Sequence, residues 1–113
     1  MSLSGKRWTV HDRDGNVIYL TEERWAHITG GGNHPEVGDH EDLVIAALRQ
    51  GRRRQEPLNP RKYRYVLPSA TLPSGFTHVV AIVVFGFDVD AQGRSMSNNH
   101  VATAFFQHIR PKN

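Results

Sequence analysis

Histidine and the basic residues carry most of the chemistry this sequence can offer. Seven histidines (His11, His27, His34, His40, His78, His100 and His108) are spread over 113 residues. Imidazole is the side chain best placed to exchange protons near neutral pH. Three of the seven stand out by context. His27 follows Glu23 by one helical turn, and His34 lies in an Asn-His-Pro-Glu segment where Pro35 restricts it to extended backbone. His100 opens the last strand. Seven of the fourteen Lys and Arg residues crowd into sixteen positions: Arg49, Arg52, Arg53, Arg54, Arg61, Lys62 and Arg64. That clustering fits an anionic partner, nucleic acid first. It equally fits the solvated end of a helix and its loop.

Two segments could hold these groups against a substrate. In Arg61-Lys62-Tyr63-Arg64-Tyr65, the two-residue period of a strand puts Arg61, Tyr63 and Tyr65 on one face and Lys62 and Arg64 on the other. Cations interleaved with aromatic rings offer charge for phosphate and planes for unstacked bases. In the segment from His100 to His108, the same period places Val101, Thr103, Phe105 and Gln107 together. The Thr103 hydroxyl then needs a partner, which either a neighbouring carbonyl or a bound phosphate would supply. His34, Glu36 and His40 are close enough in sequence to suit zinc, but their spacing is not that of a helical His pair. The reading therefore assigns no metal and no cofactor.

The rest of the chain must position these residues. Its length suits one domain with a core of its own. The absence of cysteine excludes disulfides, thiolate metal sites and a cysteine nucleophile. No apolar stretch is long enough for a membrane span, and a cytoplasmic setting is expected. Residues 1–7 read as a disordered lead, followed by one domain over 8–110. Asp14-Gly15-Asn16 between Trp8-Thr9-Val10 and Val17 to Leu20 predicts a hairpin. Thr21 should cap a short first helix ended by Gly30-Gly31-Gly32. Asp39 should cap a second helix, His40 to Gln50, with Leu43, Val44, Ala47 and Leu48 as its buried stripe and Gly51 as its stop. Pro57 and Pro60 enforce a turn after Arg52-Arg53-Arg54. Three strands then follow, Arg61–Leu67, Thr77–Phe87 and His100–Ile109, with the all-apolar middle one central. The expected fold is α+β, an antiparallel sheet of four to five strands with two helices on one face, in the order ββααβββ.

The succession Leu20-Thr21-Glu22-Glu23-Arg24-Trp25-Ala26-His27-Ile28, His34-Pro35-Glu36, a helix ending in Ala47-Leu48, an Arg/Lys/Tyr strand, an apolar strand and Thr103-Ala104-Phe105 resembles a known family. It is similar to the phage- and mobile-element-associated branch of the barnase/EndoU/colicin/RelE-like nuclease superfamily, over residues 8 to 109. The resemblance implies two helices packed on an antiparallel sheet, and metal-independent cleavage of single-stranded RNA by a toxin-like enzyme. It makes His27 the first-helix histidine, Arg61, Lys62 or Arg64 the basic residue of the sheet, and Thr103 the last-strand hydroxyl. The triple glycine is a departure that loosens the link between His27 and His34. In the implied reaction the 2′-OH attacks the adjacent phosphorus, which requires a base, an acid and fixed positive charge. His27 is the candidate acid or base, with His34 as its complement. Arg61, Lys62 and Arg64 are candidates to stabilise the phosphorane, and Thr103 to orient the phosphate. Arg52, Arg53, Arg54, Tyr63 and Tyr65 are candidates for binding the flanking RNA. An acidic antitoxin or immunity protein would then be the protein partner. The alternative is an inactive RNA-binding or protein-binding module of the same fold.

Overall fold

A computed structural model describes residues 5–31 and 33–110. The chain opens with the expected hairpin, β1 (Lys6–His11) and β2 (Val17–Thr21). Its turn is built on Asp12, whose carboxylate accepts from the backbone amides of Asp14 and Asn16, while Gly15 supplies a φ of 83°. Residues 1–4 of the expected lead lie outside the described residues, whereas Lys6 and Arg7 belong to β1. Thr21 caps α1 (Glu22–Thr29), accepting from the Arg24 amide at 3.0 Å. Arg7 clamps both helices to the hairpin by pairing with Glu22 of α1 and with Glu41.

The second helix, α2, spans Glu41–Gln50 and buries Val44, Ala47 and Leu48. Its start differs from expectation. A 3-10 turn over Pro35–Asp39 uses up Asp39, and His40 becomes the cap residue without donating or accepting through its side chain. Instead the His40 ring packs edge-on against Phe106, with centroids 5.6 Å apart. Gly51 ends α2 as expected, its amide bonding the Ala47 carbonyl. A Cβ there would run into that carbonyl and come within 2.9 Å of the Val66 carbonyl. Since neither backbone group can rotate away, Gly51→Ala is expected to destabilise the fold by about 1–3 kcal/mol. A urea midpoint lowered without a change in slope would register this, and an unchanged midpoint would contradict it.

Six strands form the main sheet in the order β1-β2-β8-β5-β4-β3. The added members are β3 (Arg52–Glu56), β4 (Asn59–Pro68), β5 (His78–Val84) and β8 (Asn99–Gln107). The fold is α+β with two helices and a mostly antiparallel sheet, but it has more strands than expected. Arg52-Arg53-Arg54 is a strand, not a loop, pairing with β4 through Arg53↔Tyr65 and Arg54↔Arg64. No hydrophobic period marks it because an edge strand with no buried face needs none, and its charges guard the open edge. The expectation of antiparallel neighbours fails at one place. β2 runs parallel to β8 through Ile18↔Asn99 and Tyr19↔His100. Parallel pairing needs a long connection, and here the segment between them contains both helices and three strands of the sheet.

The apolar run expected as a strand up to Phe87 breaks after Val84. Beyond Gly86, β6 (Phe87–Val89) and β7 (Ser95–Ser97) form a separate two-stranded ribbon where a loop was expected. β5 is central as predicted. Its Val79, Ala81 and Val83 join Val101, Ala104, Phe106 and Tyr65 in the core beneath the helices. No helix among the described residues is long and apolar enough to cross a membrane.

Candidate active cleft and basic sheet face

The face of the sheet turned away from the helices collects most of the residues singled out above. A β-bulge decides which ones. The register passes from Ile82↔Thr103 to Val83↔Val101, so Ala102 is an extra residue in β8. Val101 therefore faces the core with Ala104 and Phe106, and the expected grouping of Val101 with Thr103 and Phe105 does not hold. Thr103, Phe105 and Gln107 point to the open face.

Three cross-strand rows can be read from the pairing on that face. The first is Tyr19, His100, Val84, Lys62; the second is Thr103, Ile82, Arg64, Arg54; the third is Phe105, Val80, Val66, Arg52. Imidazole, phenol and hydroxyl thus lie on the β2–β8 side and cations on the β4–β3 side, with a band of Val and Ile between. Lys62 and His100 are two strands apart, roughly 10 Å between backbones, a gap that a lysine side chain can largely cross. Arg54 lies directly opposite Arg64, an arrangement that costs stability unless an anion intervenes. Glu56 supplies part of that charge, accepting from Arg64 Nε at 3.1 Å. No ion pair involves Lys62, Arg52 or Arg54 among the described residues.

At the β2–β8 end of the first row, α1 and the sheet form a cleft of about 730 Å³, lined by Tyr19, Glu23, Arg24, His27 and His100 together with Thr21, Ala26 and Val101. It exists because β2 and β8 pair only at Ile18 and Tyr19, after which β2 turns into α1 and leaves a gap beside β8. His27 is exposed on the outer side of α1, while His100 stands on the sheet beside the Tyr19 ring, 6.1 Å between centroids. Burial, aided by the positive charge of Arg24, pushes the His100 pKa below the ordinary histidine value. His100 is thus a neutral imidazole near pH 7, able to accept a proton. Lys6 adds another cation at this end, its ammonium 4.5 Å from the Tyr19 ring centre.

Other expected site residues are placed elsewhere. His34 lies over Phe105, 5.5 Å between ring centroids, with Nδ1 3.6 Å from Glu36. That is five residues along β8 from His100, roughly 16 Å, so His34 lies over the open face but outside the cleft. No group of three or more potential metal ligands converges among the described residues. Arg61 is on the opposite face from Lys62 and Arg64, its Nε donating to the Phe85 carbonyl.

Two expected RNA-binding residues have structural work. Tyr65 is only 1% exposed and donates to the buried Asp12 carboxylate at 2.5 Å, so it cannot stack on a base. Arg53 lies over the Tyr63 ring at 4.7 Å and pairs with Asp14 at 3.4 Å, fastening β3 to the hairpin turn. Sequence reasoning missed Arg24, whose place beside His100 depends on the gap between β2 and β8. It noticed His100 by type but gave it no role.

No family model, no curated protein and no solved structure matches this chain.

Proposed function

We propose that the protein is a small metal-independent endoribonuclease that cleaves single-stranded RNA by attack of a 2′-OH on the adjacent phosphorus. The observation that carries this reading is the joint placement of His27 and His100 in one cleft that opens onto a sheet face bearing Lys62, Arg64, Arg54 and Arg52. Neutral His100 takes the proton of the 2′-OH. His27, across the cleft on α1, gives a proton to the departing 5′-oxygen. Arg24 and Lys62 stabilise the charge that builds on the phosphorane oxygens. Thr103, Arg64, Arg54 and Arg52 hold phosphates further along the strand. This assignment gives His27 the acid role and passes the base role from His34 to His100. The likeness of sequence order to the barnase/EndoU/colicin/RelE-like superfamily supports the same reaction class.

The test is incubation of the purified protein with labelled single-stranded RNA, with and without EDTA. Cleavage is expected to resist the chelator and to leave 2′,3′-cyclic phosphate ends. Loss of cleavage on chelation would assign a metal-dependent hydrolase. Salt-sensitive binding with no cleavage of any RNA would assign a binding module instead.

A further inference from the structure

The sheet has a second groove, at the end where β4 begins and β5 stops. It encloses about 490 Å³ between the hairpin tip and the base of the β6–β7 ribbon. Its walls are the rings of Tyr63 and Phe85, packed 4.8 Å apart, and Phe87 on the ribbon. Phe87 is 76% exposed, an unusual position for a ring that makes no contribution to the core. The polar groups at the groove are Arg61, Asn16, Asn99 and Ser97, and no carboxylate lines it. Arg61 is oriented by the Phe85 carbonyl, a bond that uses only Nε. Its remaining N–H groups can meet a carbonyl or a phosphate oxygen.

We infer that this groove holds an unpaired nucleobase of the RNA, stacked on Phe87 and edged by Arg61, a few nucleotides from the bond cut at His27 and His100. The inference rests on the ribonuclease reading and adds to it a subsite for the base. A flat ring open to solvent, Phe87, beside a guanidinium is what an unstacked base requires. A protein partner would also accept the rings, but the acidic one expected here would find Arg61 and, over the Tyr63 and Phe85 rings, Arg53, which is already paired with Asp14. The groove and the cleft lie on opposite faces of the sheet yet share one end of β8. Asn98 joins them directly, accepting from the Tyr19 hydroxyl at 2.6 Å and donating to Asp88 of the ribbon. Tyr19 of the cleft and the ribbon that carries Phe87 are thus tied together at one end of the sheet, around which a strand leaving the cleft would reach Phe87.

Binding of short labelled oligoadenylate to the His27→Ala protein, in which cleavage is slowed, tests the subsite. Phe87→Ala on that background should weaken binding about tenfold, and Phe87→Trp should restore it. Competition by inorganic polyphosphate, which has the charge but no base, should be the same in all three. An exposed ring leaves little chance of misfolding as the cause. Unchanged RNA affinity in Phe87→Ala, with wild-type cleavage intact, overturns the subsite and leaves the ribonuclease standing. Failure of every variant to bind RNA overturns both.

Discussion

Alanine in place of His27 or His100 is expected to slow RNA cleavage by on the order of 10²–10⁴, the usual contribution of one positioned proton-transfer group. The two losses should not multiply in the double variant, because acid and base act on one reaction coordinate and removing either disables the pair. RNA affinity should change little, since the phosphates are held mainly by Arg and Lys. The pH–rate profile supplies a readout that a merely structural role would not move. His100 must be neutral to act as base, so activity falls as acid protonates it. Burial and Arg24 both hold its pKa below the ordinary histidine value, which places that fall on the acid side of the usual histidine range. Arg24→Gln removes one of the two causes, and the acid limb should then move to higher pH. Wild-type rates in both alanine variants would end the assignment. An acid limb unmoved by Arg24→Gln would separate His100 from the role of base.

How much of this could be read from the sequence depended on whether the signal was local. Thr21 and Gly51 mark the ends of helices through their own backbone bonds, and both were legible. So was the central place of β5, since Val79 to Val84 is apolar on both faces. Three features depended on distant partners and were not legible. The bulge at Ala102 turns Thr103 away from Val101, and nothing in the composition of β8 announces it. The segment from Arg52 to Glu56 carries no alternation because β3 has no buried face, so a strand looked like a loop. The cleft itself arises where β2 parts from β8, a separation of 79 residues between Tyr19 and its partner Asn98. That distance is why His100 and Arg24 were not paired in advance, whereas His27 and His34, close in sequence, were.

The buried pair of Asp12 and Tyr65 shows the same limit and yields the largest expected loss of stability outside the apolar core. Tyr65 alternates with basic residues and reads as a stacking platform, but its hydroxyl is directed into the interior at Asp12. Burial alone would raise the Asp12 carboxyl. The bonds from the Tyr65 hydroxyl, the Asn16 side chain and the Asn16 and Asp14 amides together outweigh it and hold the pKa below the ordinary carboxylate value. Asp12→Ala takes away the acceptor of the Tyr65 hydroxyl at 1% exposure and frees the hairpin turn, so a loss of about 3 kcal/mol is expected. Tyr65→Phe on the Asp12→Ala background should recover part of that loss, because the orphaned hydroxyl goes with it. The sign with pH follows from the depressed value. The unfolded chain takes up the proton first, so the contribution is full above the ordinary carboxylate range and is lost as pH falls through the folded-state pKa. Glu41, held down mainly by its bond from Arg7, loses its contribution in the same direction. Urea unfolding at neutral and at acid pH checks both. The wild type should weaken in acid, and Asp12→Ala should weaken less between the two conditions because its titrating group is gone. Equal acid sensitivity in the two proteins would show that Asp12 is not what the fold protects. Tyr65→Phe, unlike Phe87→Ala, should leave RNA affinity where it was, because a ring sealed in the core offers a base no surface.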